Sequence, residues 1–251
     1  MRLDGHLIGY QYLSIPAHGV PWAQGPFEAK AATALAFWGG GDVRTYVYVD
    51  GFNLYYRALK GGPYKWLNLR TLISSLLLPE NDIEVLRYFT ARVAGRSDPD
   101  EPRRQQLYLN ALNTLPGVTV HFGRFLTKTK FRPLVVAGGG VGSFVEVHDT
   151  EEKGSDVNLA AHLLNDGWRG RYDVAVVVSQ DTDLVEPIRM VRDEIRKPVG
   201  LIWCDGGAVN GRLERVASFV RHITPKRLAD AQFATPIMGR NGHLIYKPAS
   251  W

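Results

Sequence analysis

The 251-residue sequence contains one cysteine, Cys204, and no apolar stretch long enough to cross a membrane. One cysteine cannot form an internal disulfide, a pattern typical of proteins from a reducing compartment. A membrane span needs about 20 apolar residues, whereas Pro, Gly or charged residues interrupt every long apolar run of this chain. The amino terminus also lacks the basic segment and apolar run of a secretory signal. We therefore expect a cytoplasmic protein that does not enter a membrane.

The sequence also lacks the spacing that a structural zinc site requires. Its 7 histidines fall at no metal-ligand spacing, and no second cysteine accompanies Cys204. The hydrophobic share of 45% and the charged share of 22% are ordinary for a folded globular protein. The formal net charge of +5 permits a polyanionic partner but does not establish one. Composition alone therefore leaves the function open.

The pattern along the chain predicts three parts. Residues 1–43 show no sustained hydrophobic period and end close to Gly39-Gly40-Gly41, which predicts a poorly ordered extension. After Met1 the next methionine is Met190, so translation from a codon such as that of Val43 is conceivable and residues 1–43 need not belong to the native product. Residues 44–223 are predicted to form one domain, and residues 224–251 a tail that packs on it.

Strands and helices alternate through the predicted domain. The apolar run Val174–Val178 does not alternate with polar residues, as expected of a strand buried on both faces of a parallel sheet. The alternation predicts a three-layer α/β, Rossmann-like domain with a mostly parallel central sheet. The predicted strands are 45–49, 84–89, 118–122, 144–147, 174–178, 199–203 and 221–223. The predicted helices are 53–59, 69–78, 102–112, 155–164, 184–195 and 208–219, with Asp100 capping the third of them and a basic, Gly-rich connection over 128–142.

Aspartates follow two of the apolar strands directly. Asp50 follows Tyr48-Val49, and Asp181 and Asp183 come just after Val178. If these strands are neighbours, their carboxylates converge at one edge of the sheet, where ligands of such folds bind. Carboxylate oxygens are the ligands that Mg²⁺ and Mn²⁺ prefer. Each aspartate taken singly is equally explained as a turn or cap residue, so spacing alone leaves a metal site and a structural role both open.

Three motifs carry a resemblance to a known family. They are Val49-Asp50-Gly51-Phe52-Asn53-Leu54, Glu151-Glu152-Lys153-Gly154-Ser155-Asp156-Val157-Asn158-Leu159-Ala160 and Ser179-Gln180-Asp181-Thr182-Asp183-Leu184. In this order they resemble the NYN domain family of the PIN-like nuclease superfamily over about residues 44–223. The segment Gly242–Trp251 also resembles the end of its longer bacterial members.

The resemblance implies a PIN-like fold and an Mg²⁺- or Mn²⁺-dependent endoribonuclease. The family's acidic ligands fall on Asp50, Asp156, Asp181 and Asp183, and its conserved amide falls on Asn53. Because every acidic position is kept, nothing in the sequence indicates an inactive copy. The cysteine-rich or RNA-binding modules of some relatives are not visible, so the domain surface or a partner is expected to recruit the substrate.

Within this set the roles differ. Asp50 and Asp181 are the strongest candidates for direct metal ligands because each follows a central strand, and Asp156 is expected to complete the site or bind a second ion. Asp183 could bind the metal, directly or through water, or cap the helix that begins at Leu184. Asn53 could hold a metal-bound water or a phosphate oxygen, or cap its own helix.

The RNA-facing surface is predicted from basic residues. Lys153 lies beside the second motif, and the other candidates lie near the second strand or in the 128–142 connection; the full set is Lys153, Arg96, Arg103, Lys128 and Lys130. A solvated charged surface explains each of them equally well. Trp168 and Trp203 are expected in the core and not on a base-stacking surface, and Cys204 is expected to be buried and inert.

Three functions fit these observations. The first is a metal-dependent ribonuclease acting on RNA, most simply single-stranded RNA. The second is a structure-selective DNA nuclease, since PIN-like folds act on both polymers. The third is a regulatory module that binds RNA or protein without turnover. The sequence leaves open a homo-oligomer or a protein regulator as a further partner.

Overall fold

A six-stranded parallel sheet forms the centre of the computed structural model, which describes residues 42–95, 98–135 and 141–251. The strand order is β3-β2-β1-β6-β7-β8, so the chain winds in one direction from β1 to β3 and in the other from β6 to β8. The strands are β1 (Val43–Asp50), β2 (Asn81–Thr90), β3 (Val118–Phe122), β4 (Arg124–Val135), β5 (Val141–Lys153), β6 (Val174–Val178), β7 (Val199–Trp203), β8 (Phe219–His222), β9 (Ile237–Met238) and β10 (Leu244–Ile245).

Helices cover both faces of the sheet, which confirms the predicted three-layer α/β architecture. They are α1 (Gly51–Leu54), α2 (Leu69–Ser74), α3 (Glu101–Leu112), α4 (Ser155–Trp168), α5 (Val185–Asp193), α6 (Gly211–Val216) and α7 (Pro225–Asp230). A π-helical turn, Tyr55–Leu59, continues α1, and a 3₁₀ turn, Thr182–Leu184, precedes α5. No helix within the described ranges is long and apolar enough to span a membrane.

The central strands are apolar along their whole length because both of their faces are buried. In β6, Val174, Val176 and Val178 pack into one hydrophobic core. The alternate residues Ala175 and Val177 pack into a second core on the other face. Successive side chains of a strand point to opposite faces, so an uninterrupted apolar run is what a sheet between two helical layers requires.

The largest error of the sequence prediction concerns residues 128–142. The prediction had a connection there and a short strand over 144–147, whereas β4 and β5 form a long antiparallel hairpin outside the main sheet. The hairpin alternates charged and uncharged residues and is mostly exposed, with Phe131 and Phe144 each more than 60% exposed. Its lack of a buried apolar face explains why it does not have the pattern of a core strand.

Several local predictions were also wrong. Asp100 precedes α3, but its side chain makes no cap hydrogen bond. The helix predicted over 155–164 continues to Trp168, whose side chain is 64% exposed and not in the core. The helices predicted over 184–195 and 208–219 are shorter, because a 3₁₀ turn takes the start of the first and Ala217 leaves the second in an extended conformation. Residues 1–41 of the predicted extension lie outside the described residues, and β1 begins at Val43.

Aromatic contacts join the last residues of the chain to the main core. Phe233 and Trp251 lie 5.7 and 6.3 Å from Trp66 between ring centroids. Trp251 also lies 6.0 Å from Tyr108 of α3. Residues 224–251 therefore cover the α2 and α3 side of the sheet.

A buried carboxylate on α4 ties this helix to the sheet. Asp166 is fully buried and accepts hydrogen bonds from the Tyr48 hydroxyl, Arg87 Nε and Arg171 Nη1, each at 2.9 Å. Because these donors compensate its charge, the pKa of Asp166 lies below its ordinary value although burial opposes this. The helix that carries Asp156 at its start is thus anchored at its end.

We predict that Asp166→Ala lowers the free energy of unfolding by about 3–5 kcal/mol, because it leaves Arg87 buried without its partner. Asp230→Ala is the matched control, since it removes the exposed Lys226–Asp230 pair and costs less than about 0.5 kcal/mol. Urea denaturation followed by circular dichroism measures both values. Equal stability of the two variants would contradict the anchoring role of Asp166.

Candidate metal and nucleic-acid site

The site lies where the sheet reverses its winding direction, between β1 and β6. Val49 pairs with Val178 in the parallel register, so Asp50 and Ser179 come next at the carboxyl ends of adjacent strands. A crevice at such a reversal is where open α/β sheets bind ligands. The sequence prediction that these strand ends meet is supported by this register.

Asp50 is the buried centre of the site, with only 5% of its surface exposed. Its Oδ1 accepts a hydrogen bond from the Asn53 backbone N–H at 2.9 Å, and its Oδ2 accepts one from the Ser179 hydroxyl at 2.9 Å. Burial raises the pKa of Asp50, against the opposing effect of these two hydrogen bonds. The nearby charges of Asp181 and Glu152 raise it further. The carboxylate is therefore fixed in position, and no cationic side chain is among the groups that shift its pKa.

Asn53 links the two strand ends and does not cap its own helix. Its Oδ1 accepts a hydrogen bond from the Gln180 backbone N–H at 3.0 Å, while Asp50 occupies the cap position of α1. The capping role considered for Asn53 is therefore wrong. Cys204 Sγ lies 3.9 Å from the same amide oxygen. Burial raises the pKa of this thiol, which agrees with an inert cysteine.

Asp181 and Asp183 follow β6 in a tight turn. The Asp181 N–H donates to Ser179 Oγ at 3.0 Å, so Ser179 connects the backbone of one aspartate to the carboxylate of the other. Asp181 Oδ1 accepts from the Asp183 N–H at 2.9 Å and caps the 3₁₀ turn. Helix α5 itself has no side-chain cap, so the capping role considered for Asp183 is wrong. The Asp183 side chain is exposed.

Asp156, in the first turn of α4, adds a further negative charge to the same region. Burial is the largest cause that raises the pKa of Asp156 to about 6. The other causes are neighbouring carboxylates, and they are those of Asp50, Asp181, Glu152 and Asp183. Only like charges and burial act on this group, so its ionised form is stabilised by any cation that enters.

Glu152 is held close to the site by the base of the hairpin. Its Oε1 accepts from the Ser155 hydroxyl at 2.7 Å and from the Ser155 N–H at 3.2 Å, at the start of α4. The turn is tight, since a Cβ on Gly123 would lie 2.2 Å from the same Oε1 atom. Glycine at this position lets the hairpin approach α4 and places Glu152 next to the aspartates.

Asp205 is a carboxylate at the same sheet edge that the sequence prediction missed. It lies two residues after the end of β7, whereas Asp50 is the last residue of β1. Burial opposes its ionisation, but the Gly207 N–H donates to Oδ1 at 2.8 Å and the buried side-chain N–H groups of Gln180 and Trp203 lie nearby. With Arg57 also close, the pKa of Asp205 lies below its ordinary value. The strand-end rule used for Asp50 would have identified this residue.

The carboxylates do not stand in a finished metal-ligand arrangement. Across residues 42–95, 98–135 and 141–251, no group of three or more His, Cys, Asp and Glu side chains is placed to hold a metal ion. Their chemistry nevertheless fits a hard divalent cation, because the donors are oxygens and the pKa of Asp156 reports uncompensated negative charge. Mutual repulsion between like charges disfavours the closer approach of such groups.

The residues predicted to contact RNA are spread over the hairpin and α3. Lys130 lies 2.5 Å from Asp149 and 2.6 Å from Glu151, and Lys153 lies 2.6 Å from Glu151, so both are engaged in ion pairs. Arg103 on α3 and Lys128 on β4 are exposed. Arg96 lies outside the described residues. The described cations therefore lie on two separate elements, the hairpin and α3.

A cavity of about 610 Å³ opens beside Asp50, on the β2 side of the reversal point. Gly51 and Phe52, which follow Asp50 directly, form part of its wall. Aromatic rings from α1, β2, α3 and the hairpin line much of the remainder, among them Tyr56, Tyr88 and Phe125. Its volume is within the range of about 300–1,000 Å³ that small-molecule sites occupy.

Comparison with known proteins identifies the family. The model of the NYN domain matches residues 44–222. The chain belongs to the NYN domain family. This match covers the central sheet and the acidic site together, and it confirms the family predicted from the three motifs. NYN domains are generally nucleases, which are hydrolases.

The chain is also similar to one protein with a named activity and to one solved structure. The chain is 30% identical over 243 residues to the protein named 6-hydroxy-3-succinoylpyridine 3-monooxygenase HspA of Pseudomonas putida (strain DSM 28022 / S16), covering 83% of this chain and 75% of that protein. A crystal structure of a protein of unknown function from Vibrio parahaemolyticus RIMD 2210633 is 14% identical, with a TM-score of 0.49, and covers 75% of this chain and 97% of that one. A protein that carries an oxygenase name is thus among the proteins to which this chain is similar.

We predict that Asp156→Asn stabilises the metal-free protein at pH 7 by about 1–2 kcal/mol, because it removes a carboxylate that the site disfavours. The pKa of Asp156 is raised to about 6 in the folded protein, so the folded state binds the proton more tightly than the unfolded state. Its contribution to stability is therefore complete below about pH 4 and is lost as the pH rises through about 6. The Asn variant does not undergo this loss.

Urea denaturation in EDTA between pH 4 and 8 measures the difference between wild type and Asp156→Asn. Taking the difference removes the effect of His121, whose pKa is lowered to about 4 by burial in both proteins. Asp82→Asn is the control, since Asp82 is exposed near the amino end of β2, at the opposite edge of the sheet. If the difference in free energy of unfolding between the two proteins does not change with pH, ionised Asp156 does not destabilise the folded protein and the prediction is contradicted.

Proposed function

We propose that this NYN domain is a metal-dependent endoribonuclease that hydrolyses RNA phosphodiester bonds at the acidic site. The observation that carries the proposal is the convergence of Asp50, Asp156 and Asp181 at the reversal point of the sheet, where negative charge is left uncompensated. Membership of a nuclease-type family supports the reaction class. The choice of RNA over DNA rests on the resemblance to this family and not on a contact.

The proposed metal ligands are Asp50, Asp181 and Asp156, for either Mg²⁺ or Mn²⁺. A cation bound by them would supply the positive charge that stabilises a phosphate oxyanion and lowers the pKa of a bound water. Asp183 is the outermost of the four aspartates, and its exposed side chain suits a role at the mouth of the site, through water or toward substrate. We rank Asp50 first and Asp183 last because Asp50 is the most buried and accepts two hydrogen bonds, whereas the Asp183 side chain is exposed.

The neighbouring polar groups are proposed to position these carboxylates. Ser179 donates to Asp50 and accepts from the Asp181 N–H, so it fixes the distance between the two strand ends. Asn53 adds a second link through the Gln180 N–H. Such outer partners orient the ligands of a metal site and limit how far each carboxylate can move.

The direct test is incubation of the purified protein with labelled single-stranded RNA and with single- and double-stranded DNA, in Mn²⁺, Mg²⁺ or EDTA. We expect cleavage of RNA that requires the metal and stops in EDTA. Asp181→Asn should lower the rate by at least about 100-fold, because even outer-shell changes in metal sites cost about 10–100-fold. Asp82→Asn, at the far edge of the sheet, should cleave at the wild-type rate.

The outcomes separate the candidate functions. Cleavage in EDTA, or unchanged cleavage by Asp181→Asn, would contradict the proposed metal site. Cleavage of DNA alone would identify a DNA nuclease. RNA binding without cleavage by a protein that also binds Mn²⁺ would support a regulatory module instead.

A second candidate is oxygenation of a small heteroaromatic compound. It is favoured by the name of the Pseudomonas relative together with the aromatic cavity beside Asp50. Dioxygen uptake in the presence of 6-hydroxy-3-succinoylpyridine and a nicotinamide reductant tests it. Under the ribonuclease proposal we expect no uptake above the rate without protein, and uptake that depends on the compound would favour the second function.

A further inference from the structure

The cavity beside Asp50 combines stacking surfaces with unused hydrogen-bonding groups. Phe52 and Phe125 meet edge to face with their ring centroids 5.5 Å apart, which joins α1 to the base of the hairpin. Tyr55 and Tyr56 form a second pair at 5.3 Å, and the Tyr56 side chain is 60% exposed. An exposed ring with another ring behind it is a rigid surface on which a planar group can stack.

Two hydroxyl groups on β2 line the same cavity. Tyr88 and Thr90 are two residues apart, so they project from one face of the strand. They are 7% and 2% exposed, and neither hydroxyl has a hydrogen-bond partner among the residues that the structure describes. A hydroxyl can both donate and accept a hydrogen bond, so these two groups on the cavity wall are suited to a polar ligand that enters the cavity.

Cations lie along the same cavity. Lys60 and Lys65 both line it, and Lys60 Nζ lies 4.8 Å from the ring centroid of Tyr56. Arg104 is paired with Asp98, so that part of the wall is neutralised. A ligand with a planar ring and an anionic group matches this arrangement of rings, hydroxyls and amines better than an apolar one.

Position links the cavity to the acidic site. Gly51 separates Asp50 from Phe52, and it packs so closely on Tyr88 that a Cβ there would lie 2.6 Å from the Tyr88 hydroxyl oxygen. A strand of nucleic acid with one phosphate at Asp50 thus has an aromatic cavity within the reach of an adjacent nucleotide. A cavity at another part of the sheet would not lie next to the proposed cleavage site in this way.

We propose that the cavity is a nucleotide subsite, in which a base next to the cleaved phosphate stacks on Tyr56 and hydrogen-bonds to Tyr88 and Thr90. Lys60 and Lys65 would face the phosphate of that nucleotide. The inference rests on the proposed function, since the nucleotide placed in the cavity is part of the RNA substrate of that reaction. It adds that the enzyme prefers some bases over others, because the two hydroxyls can pair only with suitably placed base atoms.

The test is isothermal titration calorimetry with the four ribonucleoside 5′-monophosphates, in EDTA so that the acidic site takes no part. We expect at least one nucleotide to bind, and Tyr56→Ala to weaken its binding at least about fivefold through loss of one stacking contact. Tyr246→Ala is the matched control, since Tyr246 is 58% exposed and does not line the cavity. Tyr88→Phe, which keeps the ring, should reduce the difference in affinity between bases.

An effect of either Tyr56→Ala or Tyr88→Phe, with none from Tyr246→Ala, supports the subsite. The inference is overturned if no nucleotide binds at millimolar concentration, or if both cavity variants bind as the wild type does. Binding of 6-hydroxy-3-succinoylpyridine but of no nucleotide also overturns it. RNA cleavage without nucleotide binding rejects the subsite alone, whereas nucleotide binding without cleavage rejects the proposed reaction alone.

Discussion

The buried carboxylate of Asp50 is the group on which the site depends. It ends a strand whose two faces are filled by separate hydrophobic cores, so neither the strand nor its last residue can move outward. Hydrogen bonds from Asn53 and Ser179 then fix both carboxylate oxygens. The two loops at the reversal of the sheet are held together through this one side chain. A charge so enclosed carries an energetic cost unless a cation or a proton compensates it.

That cost connects stability with function. The fold places basic groups on Asp166 and Asp173, which are structural, and leaves the carboxylates around Asp50 without them. Two kinds of buried acid therefore exist in one domain. One kind is paired, has a lowered pKa and anchors a helix or strand, whereas the other is crowded by like charges. A difference of this kind between titratable groups is a physical mark of a binding site.

The sequence predicted the framework better than the surroundings of the site. Strands Val174–Val178 and Val199–Trp203 match the prediction residue for residue, because burial on both faces gives a strong apolar pattern. The β4–β5 hairpin has no such pattern, so it was taken for a connection. The cap that was one of two alternatives for Asp183 is made by Asp181, on the 3₁₀ turn, since spacing cannot distinguish two aspartates of one turn. The aromatic cavity was not predicted because its wall comes from four separate parts of the chain.

The central claim is that Asp50, Asp156 and Asp181 together bind a divalent cation. A crystal structure of the protein soaked in Mn²⁺, with anomalous scattering collected for manganese, tests it most directly. We expect a manganese peak between Asp50 and Asp181, with carboxylate oxygens of both residues bound to it and Asp156 moved toward it. A crystal that holds Mn²⁺ elsewhere but shows no peak at these aspartates would contradict the account.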